Sequence, residues 1–206
     1  MYQGHQYPVW DIDMGNQNVY FVSGSMDGTC RLWSTDRVQP LRMFVGHLSD
    51  VDCVKLHDNV NYVLTGSSDR TCRLWDIVSG GSVRLFTGHD APISTIAYSP
   101  DGRLFACASH HTIYIWDIAE CKLMGKCQGH TDIITSLAFD QMGNLLTSGA
   151  IDGSVGIWDV QSSSELMTPL KLIYTKATPI LDLMFTKRNL LLAVGSFCPD
   201  LLKYEK

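Results

Sequence analysis

The sequence lacks the motifs that would mark a nucleotide-binding enzyme, a serine hydrolase or a membrane protein. No apolar run reaches about eighteen residues, so no membrane-spanning helix is predicted. There is no G-x-x-x-x-G-K-[ST] or G-x-G-x-x-G loop to cradle phosphates, and no G-x-S-x-G setting for a nucleophilic serine. We therefore predict a non-enzymatic protein with no catalytic residue, no bound metal and no cofactor.

Positive charge and paired cysteines are also scarce. Charged residues make up 18% of the 206 residues and the net charge is −5, which disfavours a nucleic-acid-binding protein. The seven cysteines form no C-x-x-C pair, and an odd number without metal-ligand spacing indicates a reducing compartment. Cys30 and Cys72 each stand three residues before a tryptophan, a position that predicts burial on a strand. The first ten residues show no secretory signal, and we expect neither nucleic acid nor membrane as a direct partner.

What the sequence does contain is a repeat. Histidine-to-histidine steps are 42, 42 and 41 residues, and tryptophan-to-tryptophan steps are 42, 41 and 42. A period of about 40–45 residues between Gly-His and Trp landmarks is the WD-repeat signature, in which each period forms one four-stranded propeller blade. The landmarks are Gly4-His5, Gly46-His47, Gly88-His89 and Gly129-His130, with Trp33, Trp75, Trp116 and Trp158. We therefore predict an all-β, WD-repeat β-propeller.

The predicted domain is one propeller over residues 1–206, with four full blades and part of a fifth. The predicted blades are 4–45, 46–87, 88–128, 129–175 and a partial blade 176–206. The fourth blade contains a serine-rich connection from Gln161 to Pro169, and the fifth has Lys176-Ala177 where Gly-His is expected. This number of blades does not close neatly into a ring, which predicts a fragment of a longer propeller; the alternative is a five-blade ring.

The landmarks predict a polar clamp in each blade. The imidazole can form hydrogen bonds with both the turn aspartate and a strand hydroxyl, and the same hydroxyl can accept from the indole N–H. We expect these bonds to form, because each polar group buried without a partner would cost about 1–3 kcal/mol. The predicted clamps are His5, Ser23, Asp27 and Trp33; His47, Thr65, Asp69 and Trp75; and His130, Ser148, Asp152 and Trp158. The third repeat keeps His89 and Trp116 but has His110-His111 in place of the aspartate, and we predict a surface turn there rather than a metal site.

Candidate partner contacts lie on the loops that precede the first strand of each repeat. Loops held by a rigid scaffold are common binding positions, although ordinary turn chemistry explains the same residues equally well. The candidate rim residues are Tyr7, Asp50, Asp90 and Asp132, with Gln6, Pro8, Leu48, Ser49, Ala91, Pro92 and Thr131 beside them.

Longer strings carry a more specific resemblance. YPVWD, PLRMFVGHLSDVDCVKLHDNVNYVLTGSSDRTCRLWD, QGHTDIITSLAFD and TPILDLMFTKRNLLLAVGSF resemble the propeller of the transcription initiation factor TFIID subunit 5 family. The details DVDCVK, SVRLFTGH and ITSL resemble the family's SAGA-type paralogue, the TFIID subunit 5-like protein of PCAF complexes, more than the TFIID subunit. The resemblance covers nearly the whole chain. Departures are the absent turn aspartate of the third repeat and the turns at Asn16-Gln17 and Asp58-Asn59.

The resemblance implies a seven-blade propeller in a nuclear, non-catalytic scaffold subunit of a transcription coactivator complex. It implies docking on histone-fold subunits and association with the acetyltransferase module of a SAGA-type complex in RNA polymerase II transcription. The alternatives are subunit 5 of the general factor TFIID, or a WD-repeat peptide-recognition adaptor of a ubiquitin ligase. An adaptor of that kind should cluster arginines on one face, whereas the arginines here are spread along the strands.

Overall fold

The computed structural model describes residues 2–15, 17–162, 164–175 and 178–196. All regular elements in these ranges are β-strands, as the alternating apolar patterns predict, and no helix there is long and apolar enough to cross a membrane. The chain divides into two compact units, the first ending at Ile96 and the second beginning at Ala97. Asn16, Lys176-Ala177, Cys198 and the tail around Leu201 lie outside the described residues.

The first unit contains two antiparallel sheets of four strands each. The strands of each sheet lie side by side in chain order, β1-β2-β3-β4 and β5-β6-β7-β8, which is the order of a propeller blade. The strands of the first sheet are β1 (Val9–Met14), β2 (Tyr20–Ser25), β3 (Thr29–Ser34) and β4 (Arg42–Val45). Those of the second sheet are β5 (Val51–Leu56), β6 (Tyr62–Ser67), β7 (Cys72–Asp76) and β8 (Ser82–Phe86).

The second unit begins within strand β9 and contains the remaining strands. These are β9 (Ile93–Tyr98), β10 (Leu104–Ser109), β11 (Thr112–Asp117), β12 (Lys122–Gln128), β13 (Ile134–Phe139), β14 (Leu145–Ala150), β15 (Ser154–Asp159), β16 (Leu166–Met167), β17 (Lys171–Tyr174), β18 (Ile180–Phe185) and β19 (Leu191–Gly195). Their sheet orders are β16-β12-β11-β10-β9, β13-β14-β15-β17 and β18-β19.

Tight turns join the second and third strands of the sheets. In the first sheet Asp27-Gly28 forms this turn, and in the sheet that begins with β13 Asp152-Gly153 forms it. Gly28 and Gly153 have φ values of +72° and +75°, a region that a residue with a Cβ enters only at a cost. Asp-Gly between two apolar runs therefore sets these hairpins.

The serine-rich connection contains a strand that the sequence did not predict. Within Gln161–Pro169, β16 pairs in parallel with β12 of the preceding sheet, placing Met167 opposite Cys127. Met167 is buried, and a Cβ built on Gly125 would lie 2.7 Å from its terminal methyl carbon. Because Gly125 has no side chain, Met167 can fill the space beside it. The periodicity of the repeat does not predict the pairing of β16 with β12, because forty residues separate Cys127 and Met167.

Apolar side chains fill the space between successive sheets within each unit. In the first unit, Val22 and Phe44 of the first sheet share one core with Val51, Val54 and Leu56 of the second. In the second unit, one core joins the five-stranded sheet that contains β9–β12 to the four-stranded sheet that begins with β13. Its buried residues include Ala106, Ile113, Ile115, Ile134, Leu137, Phe139, Leu146 and Trp158. Burial of this apolar surface is the main stabilising contribution to each unit.

The cysteines that the structure describes are free thiols, and most are buried. Cys30 and Cys72 lie within strands and are buried, at the equivalent position of consecutive sheets. Burial raises the pKa of the Cys30 thiol far above its usual range, and burial raises the pKa of Cys127 to about 12. These thiols therefore behave as small apolar side chains rather than as nucleophiles.

Candidate functional site

The first predicted clamp comes together in the first sheet. His5 Nδ1 donates to Asp27 Oδ2 at 2.7 Å, and the Ser23 hydroxyl lies 2.8 Å from His5 Nε2. Trp33 Nε1 donates to the same hydroxyl oxygen at 2.8 Å. The network assigns the imidazole tautomer, because the carboxylate can only accept from Nδ1. One connected path thus runs from the turn to the indole of the third strand.

The second sheet repeats this geometry. His47 Nδ1 lies 2.8 Å from Asp69 Oδ2, and His47 Nε2 lies 2.7 Å from the Thr65 hydroxyl. Trp75 Nε1 donates to Thr65 Oγ1 at 2.9 Å. Asp69 also accepts from the backbone N–H of Leu48 at 3.0 Å, so it fixes the loop that leads into β5.

The sheet that begins with β13 differs in one contact. His130 Nε2 lies 2.5 Å from Ser148 Oγ, and Trp158 Nε1 donates to that oxygen at 2.8 Å. The nearest partner of His130 Nδ1, however, is Ser154 Oγ at 2.7 Å, while the distance to Asp152 Oδ2 is 3.7 Å. The Ser154 hydroxyl donates to Asp152 Oδ1 at 2.5 Å, so it relays the contact that spacing alone assigns directly to the aspartate.

The third repeat has a different arrangement at each of its two landmarks. His89 is buried, and its Nδ1 donates to the Arg70 carbonyl at 3.0 Å. Trp116 is also buried. His110 and His111 form the turn between β10 and β11, where His110 has φ +57° and the two Nδ1 atoms are 2.7 Å apart. The two imidazoles are nearly perpendicular, with an interplanar angle of 86°, and the turn is exposed, as the sequence predicts.

Burial and hydrogen bonding shift the pKa values of the clamp groups. Burial lowers the pKa of His47 and His130 against the opposing influence of Asp69 and Asp152. Burial alone would raise the pKa of Asp69, but hydrogen bonds from Thr71, Leu48 and His47 lower it to about 2. The pKa of Asp152 is likewise about 2, because bonds from Ser154 and Thr131 outweigh its burial. At neutral pH the clamps of His47 and His130 therefore each pair an ionised carboxylate with a neutral imidazole.

The clamp histidines are occupied inside their sheets. Their side chains are 5%, 1% and 0% exposed at His5, His47 and His130, and both ring nitrogens of each bond protein groups. A general base needs a free nitrogen within reach of a substrate proton. The geometry therefore suits a rigid scaffold, although the assignment of these residues as clamps stays a prediction.

The predicted rim residues lie just before the first strands of their sheets, with different surroundings. Tyr7 is 59% exposed, and its carbonyl accepts from Ser25 Oγ at 3.4 Å. Asp50 is half-buried and accepts from Trp10 Nε1 at 3.1 Å. Asp90 is exposed, and Asp132 accepts from the Ile133 N–H at 2.7 Å. Trp10, which lies in β1, thus orients one candidate.

Two carboxylates that sequence reasoning missed link the sheets of the first unit. Asp11 Oδ2 accepts from the Val54 N–H at 2.9 Å, and Asp13 Oδ2 accepts from the Leu56 N–H at 2.8 Å. Lys55 Nζ adds an ion pair with Asp13 at 2.8 Å. Burial raises the pKa of Asp11 in spite of these bonds. The available signal was two aspartates at alternating positions of a strand, which indicates one shared face.

A similar link occurs in the second unit. Ser136 Oγ donates to Asp182 Oδ1 at 2.8 Å and accepts from the Leu183 N–H at 3.0 Å. Thr135 Oγ1 donates to the Ile180 carbonyl at 2.6 Å. Polar side chains of one first strand thus satisfy the backbone of the next.

Four-stranded sheets with repeated His–hydroxyl–Trp paths define the class of WD-repeat proteins. Sequence comparison agrees: a family model described as WD domain, G-beta repeat matches residues 1–34, 38–76, 80–117 and 121–159. The chain belongs to this WD-repeat family. Its all-β fold is that of a partial WD-repeat propeller, as the sequence predicts.

The similarity to individual relatives covers different shares of the chain. TFIID subunit 5 of Caenorhabditis elegans is 32% identical over 209 aligned residues, which cover 92% of this chain and 32% of that protein. A guanine nucleotide-binding protein subunit beta of Arabidopsis thaliana is 36% identical over 167 residues, 75% of this chain and 44% of the relative. Mouse echinoderm microtubule-associated protein-like 3 is 35% identical over 80 residues, 36% of this chain. The chain spans less than half the length of each of these relatives.

Proposed function

We propose that this chain is the propeller part of a non-catalytic scaffold subunit in a nuclear transcription complex. The observation that carries the proposal is the 32% identity to TFIID subunit 5, which extends over 92% of the chain. The identity to the G-protein subunit covers a smaller share, 75%. The occupied clamp histidines support a structural role, since they leave no free imidazole nitrogen for catalysis.

Within this class we propose a subunit of a SAGA-type histone acetyltransferase complex that docks histone-fold subunits. The support is the strings DVDCVK, SVRLFTGH and ITSL, which resemble the SAGA-type paralogue of the TFIID subunit. TFIID itself is the second candidate, because the relative at 32% identity is a TFIID subunit. Both candidates predict protein partners in the nucleus and no direct contact with nucleic acid.

We propose the rim residues Tyr7, Asp50, Asp90 and Asp132 as contacts for these partner subunits. Tyr7 is a suitable anchor, because an exposed tyrosine offers a large, rigid contact area at low entropic cost. Asp50 is held in place by Trp10, so its carboxylate is presented in a fixed orientation.

The test is purification of the endogenous protein, tagged at its C-terminus, from nuclear extract, followed by identification of what accompanies it. Co-purification of an acetyltransferase module and histone-fold subunits without the TATA-binding protein is the expected result. Co-purification of TATA-binding protein in stoichiometric amount would instead identify the chain as a TFIID subunit. Cullins, or a G-protein gamma subunit, in place of both sets would overturn the transcription proposal.

The same purification with a Tyr7→Ala variant tests the rim. We expect loss of histone-fold subunits with Tyr7→Ala and retention with Val78→Ala, which truncates another exposed apolar residue on a different loop. Equal recovery with both variants would exclude Tyr7 as a contact.

A further inference from the structure

An exposed tryptophan lies where the first sheet of the first unit meets the second. Trp10 belongs to β1 and is 51% exposed. Its indole Nε1 donates to Asp50 Oδ2 at 3.1 Å, and Asp50 directly precedes β5 of the next sheet. This bond holds the indole in one orientation and leaves much of the ring open to solvent. Tryptophan is among the residues most enriched at the anchor positions of binding surfaces.

Asp50 has unused capacity to accept hydrogen bonds beside this indole. Its side chain accepts one hydrogen bond from a described residue, that of Trp10, although the two oxygens of a carboxylate can accept about four. Among the residues that the structure describes, no lysine, arginine or histidine forms an ion pair with Asp50 or with Asp52. Arg70 is exposed in the turn that contains Ser68, and it too pairs with neither carboxylate.

The second carboxylate at this junction, Asp52, experiences the charges of its neighbours. The Ser68 hydroxyl donates to Asp52 Oδ2 at 2.7 Å, and the Ser68 N–H donates to the Asp50 carbonyl at 3.0 Å, so one serine holds both residues. Burial raises the pKa of Asp52, the hydrogen bond from Ser68 opposes this rise, and the negative charges of Asp50 and Asp69 add to it. Asp50 and Asp52 therefore repel each other, and a cation near both would stabilise their charges.

The equivalent junction in the second unit contains neither an indole nor a carboxylate at these positions. Thr135 is the second residue of β13, as Trp10 is the second residue of β1. Pro179 directly precedes β18, as Asp50 directly precedes β5. Thr135 Oγ1 donates to the Ile180 carbonyl at 2.6 Å, so its hydroxyl is used within the fold. A junction of this repeat therefore forms without an indole–carboxylate pair, and the fold does not require the pair in the first unit.

We propose that Trp10, Asp50 and Asp52 bind an arginine side chain in an extended basic segment of a partner protein. The guanidinium stacks on the exposed face of the indole and donates to the two carboxylates. This inference names the chemistry of the partner at one proposed rim contact, Asp50, and it rests on that part of the proposed function alone. It does not depend on which complex the chain joins.

Charge and shape both favour arginine over other ligands. The chain has a net charge of −5, which attracts a cationic partner and opposes a nucleic acid. The guanidinium of arginine is planar, stacks on aromatic rings and presents five N–H donors, whereas the ammonium of lysine is a compact, strongly hydrated charge. The site contains the two kinds of group that a guanidinium uses, an exposed flat ring and carboxylate acceptors.

The test is fluorescence anisotropy with the whole purified chain and a short labelled peptide of alternating arginine and glycine. We expect saturable binding that weakens as salt increases, and a loss of about tenfold or more in the Asp50→Asn, Asp52→Asn double variant. Asparagine can still accept the hydrogen bonds that these two side chains accept, so the variant removes charge and keeps the local fold. Asp36→Asn, Asp76→Asn is the matched control, because these carboxylates bond within their own turns outside the site, and it should leave the affinity unchanged. Equal thermal unfolding of the two double variants shows that the fold is intact.

Two further probes identify the group that binds. A lysine–glycine peptide carries the same charge and should bind at least about threefold more weakly than the arginine–glycine peptide, because an ammonium group does not stack on the indole. Trp10→Leu should remove this difference between the peptides. Equal binding of the two peptides by the parent chain, a preference for arginine that persists in Trp10→Leu, or equal weakening by the control double variant would each overturn the proposal. Absence of any peptide binding would overturn it as well, while leaving the nuclear-complex proposal to its own purification test.

Discussion

At the scale of single residues, the clamp hydroxyls connect two buried groups that cannot otherwise be satisfied. Thr65 Oγ1 accepts from the Trp75 indole and lies 2.7 Å from His47 Nε2. All three side chains are at least largely buried, so water cannot replace the hydroxyl without rearrangement. The cost of losing one hydroxyl therefore includes the two partners that it leaves behind.

Thr65→Val tests this dependence, because valine has nearly the shape of threonine but no hydroxyl. We expect the free energy of unfolding to fall by about 2–3 kcal/mol, since the indole N–H and the imidazole lose their partner. Urea unfolding followed by tryptophan fluorescence measures the change. Thr87→Val is the matched control at an exposed position and should change stability by less than about 0.5 kcal/mol. Equal effects at both positions would refute the clamp role of Thr65.

The pKa shifts of the clamps predict how stability depends on pH. His47 and His130 have lowered pKa values in the folded chain, so unfolding takes up protons and stability falls as pH decreases below about 6.5. Asp69 and Asp152, with pKa values of about 2, stabilise the fold above their ordinary pKa of 3.8 and lose this effect as pH falls from about 4 toward 2.

The measurement is the urea midpoint from pH 8 down to pH 2.5, at constant ionic strength, where we expect two successive decreases. The Asp69→Asn, Asp152→Asn double variant should keep the decrease below about pH 6.5 and show a shallower one below about pH 4. Other carboxylates with lowered pKa values, such as Asp27 and Asp117, retain part of the acid decrease. A midpoint that rises between pH 7 and pH 5 would contradict the assignment of neutral imidazoles.

At the scale of strands and sheets, a glycine in the second strand of one sheet allows the first strand of the next sheet to pack closely against it. A Cβ built on Gly24 would lie 2.8 Å from Val54 Cγ1 and 2.9 Å from the Val51 carbonyl. Gly66 and Gly149 show the same crowding, with the nearest atoms at 2.6 Å and 2.4 Å. The glycine therefore sets how closely the first strand of one sheet packs on the second strand of its neighbour.

Gly24→Ala should destabilise the chain by about 1–3 kcal/mol, because the added methyl group overpacks a contact made partly of backbone. Gly81→Ala is the control, since its nearest atom is Ser79 Oγ at 3.6 Å in an exposed turn. Thermal unfolding of the two variants and the parent provides the comparison. If Gly24→Ala and Gly81→Ala unfold at the same temperature, the prediction is wrong and the packing of these sheets tolerates the extra methyl group.

The sequence predicts the strands well where they depend on spacing within one repeat, and the same spacing brings each predicted clamp hydroxyl to its indole. The ten-residue interval from Ser23 to Trp33, from Thr65 to Trp75 and from Ser148 to Trp158 specifies each hydroxyl–indole bond, because the register of one hairpin fixes both positions. Contacts between repeats could not be predicted in the same way. The bonds of Asp11 and Asp13 and the pairing of β16 depend on how one sheet packs on the next, which periodicity does not encode.

At the scale of the whole molecule, apolar surface is exposed on a strand whose counterpart is buried. Val9, Ile12 and Met14 of β1 are 42%, 58% and 50% exposed. In β5 the residues at the same distances from the Gly-His histidine, Val51, Val54 and Leu56, are 0%, 0% and 5% exposed. A contiguous apolar strip of this kind favours association with other molecules of the chain.

An Ile12→Lys, Met14→Lys double variant should therefore self-associate less than the parent chain. Sedimentation velocity over a range of protein concentrations measures this difference. Leu48→Lys, Val38→Lys is the matched control, because it adds the same charge and removes exposed apolar groups outside the strip. The prediction fails if both double variants reduce association equally.

The aspartates of β1 also change what the neighbouring sheet offers to other strands. β5 is an edge strand of its sheet, and the amides that do not face β6 would otherwise be open to pairing with a foreign strand. The carboxylates of Asp11 and Asp13 occupy the Val54 and Leu56 amides, and a side chain cannot extend the ladder. Amide hydrogen exchange should therefore be slow at Val54 and Leu56. The two aspartates also protect the edge of β5 from amyloid-like addition of further strands.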